Sequence, residues 1–238
     1  EPASIGLINP KEWDVVLPMC ENYPALMSIG SWDNPPLILN RPEAVLNCYR
    51  ISMVTAIQKS CPDIFPKTQL KRLKDIPEEA PGFLEGRGAW IKRGDVHNTC
   101  DHDVVYVAKW QEARAVREDF ESREITSVAI QEHIAGDLIK FYGVGPHKWF
   151  DWFYHDPARA SRYCFDCGIL ERHTACVAGA VGLEIYGGDA IVTPDGRIYV
   201  IDINSWPSFA RVRSEARIRI ARHVYERVLT RVTEWESK

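Results

Sequence analysis

Two short apolar runs open the chain: Asp14 to Leu17 (DVVL), closed by Pro18, and the LIL run within Pro36 to Asn40. Continuous runs of this length between turn residues predict buried strands of the parallel type. Asn40-Arg41-Pro42-Glu43 then supplies an N-cap, an early-turn proline and a carboxylate three residues on, so a helix is predicted. It carries Leu46, Tyr49, Met53 and Ile57 on one stripe and stops before Pro62. The stretch 62–89, rich in Pro, Lys, Glu and Gly, reads as a connector with one short helical piece around Gln69 to Lys74.

Beyond the connector the pattern changes. Ala89 to Lys92 and Val104 to Ala108 read as strands joined by a polar loop, and Gln111 to Arg123 as a helix with Ala113, Val116 and Phe120 inward. Ser127 to Ile134 and Leu138 to Val144 are two further strands separated by a tight Ala135-Gly136-Asp137 turn. A helix near Thr174 to Leu183 leads into a hairpin, Gly188 to Ile203, turning at Pro194-Asp195-Gly196. The last helix, capped by Ser214, carries Ile218, Ala221, Tyr225, Val228 and Val232 at helical spacing. The expectation is an α+β body, residues 62–238, behind a partial α/β domain, residues 1–61.

Composition narrows the class. The 238 residues are 45% apolar with a formal charge of −4, which suits a globular protein and leaves no uninterrupted apolar run long enough to span a bilayer. A balanced charge gives no reason to expect nucleic acid or an anionic membrane as partner. Seven cysteines, an odd number, fit reduced thiols in a cytoplasmic protein better than a disulfide framework. Cys164 and Cys167 form a C-x-x-C without the second pair that zinc would need. The start at Glu1, without Met or a signal-like pattern, reads as a trimmed beginning.

The sharpest chemistry lies in the hairpin. A two-residue Asp195-Gly196 turn would set Asp189 directly across from Asp202, and alternation puts Asn204 on the same face as Asp202. Two carboxylates and an amide oxygen at close quarters repel unless a cation lies between them, and hard oxygen donors suit magnesium. A three-residue turn with Gly196 as a bulge would shift that register by one, and two solvent-facing aspartates remain the plain alternative. Lys92 ends a buried-looking strand beside the polar loop Arg93 to Thr99, where it can meet phosphate oxygens or snorkel to the surface. Lys140 repeats the anomaly within LIKFYGV. Two strand lysines beside an oxygen-rich cation site point to a nucleoside triphosphate. The aromatic stretch Trp149 to Tyr154, beside His147, Lys148 and His155, reads equally as a pocket wall or as core. The arginines from Arg211 to Arg222 read as a solvated helix face.

WIK with its loop, IQEHIAGDLIKFYGVG, LEIYGGDAIV and YVIDINSWPSF, in this order from Trp90 to Phe209, resemble the ATP-grasp superfamily. The N-terminal LILNRPEAVLNCYR resembles the end of the domain that precedes such catalytic bodies. The resemblance implies an α+β ATP-grasp fold, in which two subdomains grip ATP between antiparallel sheets. It implies Asp189, Asp202 and Asn204 as magnesium ligands, Lys92 at the ATP phosphates and His97 among the cofactor-binding residues. Gln131, Glu132, His133 and Ile134 match the hinge bordering adenine, with Asp137 following. Lys140 matches a basic residue facing the phosphates or the acceptor, which makes Lys140 and Asn204 the candidate catalytic pair. Most relatives are ligases that phosphorylate a carboxylate and pass the acyl group to an amine; a minority, the inositol phosphate kinases, phosphorylate an alcohol. His97 and His102 resemble that branch, whereas Ala135-Gly136 stands where it carries a basic segment. The expected partners are small-molecule carboxylate and amine substrates, with the protein a monomer or homodimer.

Overall fold

The computed structural model describes residues 5, 8–96 and 100–236. Strands β1 (Val15–Val16) and β2 (Leu37–Ile38) pair in parallel around helix α1 (Tyr23–Gly30), as the two apolar runs predict. Where one helix is predicted after Asn40 there are two, α2 (Pro42–Leu46) and α3 (Arg50–Ser60), separated at Asn47-Cys48-Tyr49. The cap residue of α2 is Arg41 rather than Asn40. The Asn40 side chain is drawn away by a buried partner: its amide donates to the Ile185 carbonyl at 2.7 Å, and its oxygen accepts from Glu184 N at 2.8 Å and Ile185 N at 2.9 Å. This sews the N-terminal segment to the strand that begins at Ile185. Asn40→Ala would leave these backbone groups unpaired and is expected to lower unfolding free energy by about 3 kcal/mol, measurable by urea denaturation.

Two four-stranded antiparallel sheets form the body. The first is ordered β3-β6-β4-β5, from β3 (Thr68–Arg72), β4 (Ala89–Arg93), β5 (Val104–Val107) and β6 (Ser127–Glu132), and α4 (Ala113–Ser122) covers one face through Ala113, Val116 and Phe120. Strand β3 replaces the predicted helical piece around Gln69 to Lys74. TQLKR has no apolar periodicity of its own, and pairing with β6, from Thr68↔Gln131 to Arg72↔Ser127, decides its conformation.

The second sheet is ordered β10-β9-β7-β8, from β7 (Asp137–Val144), β8 (Trp149–Tyr154), β9 (Ile185–Val192) and β10 (Ile198–Ser205). Helix α5 (Cys167–Val181) starts a full two turns before the predicted Thr174, because Asp166 caps it through Gly168 N and Ile169 N. Ile139, Phe141, Ala190 and Val200 of the sheet share a core with Val177 and Val181 of α5 and with Met53 and Ile57 of α3. The Ala135-Gly136-Asp137 segment is no hairpin turn: β6 and β7 belong to different sheets, and the chain crosses between them there.

Helix α6 (Arg213–Glu236) lies over the far end of the second sheet, burying Ala216 and His223. The predicted stripe of Ile218, Tyr225 and Val232 faces outward instead, at 60%, 63% and 45% exposure. The expectation of reduced thiols also needs correction, because Cys61, at the end of α3, and Cys176, within α5, form a disulfide. Close packing of the two helices brings together cysteines 115 residues apart, a pairing no spacing rule detects. Cys20, Cys48, Cys100, Cys164 and Cys167 are free. No helix among the described residues is long and apolar enough to cross a membrane.

Candidate functional site

The β9–β10 hairpin does bring Asp189 opposite Asp202, by a different route from the predicted turn. The turn has three residues, 194–196, with Gly196 at φ 80°, a left-handed value that suits glycine. Near the turn Val192 therefore pairs with Ile198, a register that continued unchanged would set Asp189 opposite Ile201 and turn Asp202 to the other face. A β-bulge between Val200 and Asp202 absorbs one residue and restores the pairing. The extra residue, Ile201, has its carbonyl 3.5 Å from the Lys92 ammonium of the opposite sheet.

On the same face of the second sheet, Lys140 of β7 pairs directly with Asp189 of β9, and its ammonium meets the Asp189 carboxylate at 2.7 Å. Asn204 follows Asp202 by two residues, and its amide donates to Asp202 Oδ2 at 3.3 Å. Arg50, the first residue of α3, places its guanidinium 2.9 Å from Asp202 Oδ1. Two carboxylates and three basic side chains thus converge between the sheets.

Burial, reinforced by Asp202 nearby, raises the Asp189 pKa despite Lys140. Burial, reinforced by Arg50, lowers the Lys92 pKa to about 7 against the pull of both aspartates. Asn204 Oδ1 is buried without a hydrogen-bond partner among the described residues. Asp189, Asp202 and this orphaned oxygen therefore fit a hard divalent cation, which relieves the carboxylate repulsion and satisfies the amide oxygen. Among the described residues no three His, Cys, Asp or Glu side chains gather for a metal ion, so the fit rests on these two carboxylates and the amide oxygen.

At the crossing between sheets, Glu132, His133, Ile134 and Ala135 line a cleft of about 710 Å³, closed by Lys67, Arg87 and the hairpin turn. Glu132 accepts from Lys67 N at 2.8 Å and pairs with Arg87 at 3.0 Å, so it braces the hinge. Trp90, two residues before Lys92 and on its face of the strand, donates from Nε1 to His133 Nδ1 at 3.2 Å. Burial lowers the His133 pKa, and the bond from Trp90 leaves the neutral ring's proton on Nε2. Tyr106 completes the aromatic group, with ring centroids 5.2 Å from Trp90 and 5.0 Å from His133.

Two other predicted side chains have partners of their own. Gln131 is buried and bonded to Thr68 Oγ1 at 3.1 Å. The Asp137 carboxylate accepts from Ser161 N at 2.7 Å and Tyr163 N at 3.1 Å, in the loop after β8. His97 lies outside the described residues. The aromatic stretch forms β8 and packs on both faces: Phe150, Trp152 and Tyr154 join the α5 core, while Phe153 meets Tyr142 and lies 4.4 Å beneath the Arg211 guanidinium.

Arg50 and Trp90 escape sequence reasoning as site residues. Arg50 does carry a signal, because a cation in the first turn of a helix opposes the dipole and needs an external partner. Trp90 could be placed by strand alternation from Lys92.

No protein-family model matches the sequence, and no curated protein matches it. Solved structures do match. The RimK-domain ATP-grasp protein of Sphaerobacter thermophilus superposes with a TM-score of 0.67 at 15% identity, over 92% of this chain and 84% of that one. D-cycloserine synthetase DcsG gives 0.63 at 11% identity, over 94% and 86%. The D-alanine-D-alanine ligase of Coxiella burnetii gives 0.60 at 13% identity, over 93% and 73%. The chain has the ATP-grasp fold, two antiparallel sheets facing one another across a cleft that holds the charged cluster.

Proposed function

We propose that the protein is an ATP-dependent, magnesium-requiring ligase that joins a small carboxylate to an amine. The observation that carries the reading is the convergence of Asp189, Asp202 and the orphaned Asn204 oxygen with Lys92, Lys140 and Arg50. Three basic groups and a divalent cation, set against two carboxylates, leave a positive excess that matches a triphosphate. The ligase and synthetase names among the structural neighbours support the same chemistry.

In this reading Asp189, Asp202 and Asn204 would hold magnesium, which when bound neutralises phosphate charge. Lys92 and Arg50 bind phosphate oxygens, and the hinge backbone from Gln131 to Ile134 borders the base. The acceptor carboxylate oxygen attacks the γ-phosphorus and ADP leaves. The amine then attacks the acyl carbon, phosphate leaves, and the amine loses a proton. Lys140 faces the transferring group and steadies its charge, so positioning and charge neutralisation carry the reaction without a covalent nucleophile. A small-molecule acceptor and a cytoplasmic place of action belong to the same proposal.

The test is ADP release in the presence of candidate acceptors. Release that requires both a carboxylate and an amine, with hydroxylamine trapping an acyl hydroxamate, is the expected result. A stable phosphorylated alcohol, formed without amine, overturns ligation in favour of a kinase of the same fold.

Trp90 offers a direct readout of nucleotide binding. Its ring stands on the cleft face beside His133, where a base stacks on an aromatic surface. Adding MgATP is expected to change tryptophan emission, and Trp90→Leu to abolish most of that change while weakening ATP binding about tenfold. An undiminished signal in the variant would place the base elsewhere.

A further inference from the structure

Nothing in the catalytic reading uses the outer face of α6. Ile218, Tyr225, Leu229 and Val232 stand there at 60%, 63%, 47% and 45% exposure, although such residues normally fill a core. A groove of about 760 Å³ runs beside the stripe, between Ala221, Tyr225 and Val228 of α6 and the loop carrying Leu17 and Met19, itself 65% exposed. Half-exposed side chains of this size present on the order of 100 Å² each. Five of them make a patch near the upper limit for a monomer, and with a polar rim it approaches the ~800 Å² per partner of a stable complex.

The spacing of the stripe identifies its occupant. Residues 218, 221, 225, 229 and 232 are separated by three, four, four and three positions, which reads the same in both directions about Tyr225. Two such helices laid antiparallel across a two-fold axis at Tyr225 match themselves: Ile218 meets Val232, and the small Ala221 meets the large Leu229. A two-fold interface requires this kind of self-complementarity, whereas a different partner would not.

The charges on one flank agree, although on the other the same axis sets Arg217 against Arg231 of the partner subunit. Arg222 and Glu226 lie on one flank of the stripe, 2.9 Å apart within the helix. The same axis carries Arg222 towards Glu226 of the partner subunit, and the pair occurs twice. No like charge opposes it on that flank, where Thr230 and Thr233 continue the row.

We propose that the protein forms a two-fold homodimer through α6, with its helix antiparallel to that of a second copy and Tyr225 on the axis. The dimer leaves the catalytic cleft of each copy open, because the stripe points away from the second sheet.

Sedimentation equilibrium across the micromolar range tests this. The expected mass is twice the 27.2 kDa of one chain. Tyr225→Glu puts two carboxylates on the axis and is expected to raise the dimer dissociation constant at least ~100-fold, with an unchanged circular dichroism spectrum. Tyr225→Cys, at an axis where each residue meets its own copy, is expected to cross-link under mild oxidation beyond the level of the parent protein, whereas Arg217→Cys is not. A mass of 27.2 kDa at every concentration overturns the proposal and leaves the stripe to some other partner. A dimer that survives Tyr225→Glu, or one in which Tyr225→Cys does not cross-link, overturns it by placing the interface elsewhere.

Discussion

Asp202→Asn is expected to lower kcat for ATP turnover by about 1000-fold while leaving the protein folded. The substitution keeps the shape of the side chain and removes one of the two carboxylates that face each other across the hairpin. Two opposing effects on stability accompany it. Arg50 loses its ion pair with Asp202, which destabilises, and Asp189 is freed from a like charge that helps to raise its pKa, which stabilises. The melting temperature therefore moves by only a few degrees, and the lost activity reports on the cation site. Steady-state ADP release with a thermal melt of the same preparation checks both. Turnover within tenfold of the parent would remove Asp202 from the site.

Removing the Lys92 charge should weaken ATP binding by about 100-fold in Lys92→Met, from the loss of charged contacts to phosphate. Its pH dependence is more diagnostic. Burial and the neighbouring Arg50 lower the Lys92 pKa to about 7 from the ordinary 10.5, so in the ligand-free protein its proton leaves as pH rises through about 7. ATP needs the charged form. Affinity is therefore expected to fall as pH rises above about 7, approaching tenfold per unit, with a proton taken up on binding. The sign for stability is the reverse. Between about 7 and 10.5 the unfolded chain still holds the proton that the folded protein has lost, so this group makes stability rise with pH across that window. Calorimetric titration of ATP at several pH values, in the parent and in Lys92→Met, separates this group from the others. A pH dependence that persists in Lys92→Met would assign it to a different side chain.

The hairpin shows how a sequence argument can reach the right pair by the wrong path. A two-residue turn predicts Asp189 opposite Asp202, and the structure has that pair, but its turn holds three residues and a bulge at Ile201 makes up the difference. Neither the turn length nor the bulge is written in local propensity. Both follow from the need to seat apolar residues against α5 while keeping the aspartates towards the cleft. Strand β3 failed for a related reason, since TQLKR becomes extended only because β6 offers it an edge.

Arg50 marks the limit more plainly. Its role depends on α3 packing against α5 and the second sheet, contacts far apart in the chain. The Asn40 side chain was read as a helix cap because the local pattern allows it. Only the approach of the first residues of β9 shows that buried peptide groups claim it first.

The sequence by itself determined the alternation of buried and exposed residues in most strands, the chemical types gathered at Asp189, Asp202, Asn204, Lys92 and Lys140, and the order of motifs that resembles the ATP-grasp superfamily. These depend on residue identity and short spacing, which local physics reads directly. The tertiary structure alone decided which sheet each strand joined, that Arg50 reaches Asp202, that Cys61 meets Cys176, and that the stripe on α6 faces outward. Each of these is a contact between distant segments, and its energy exists only once the chain has brought them together.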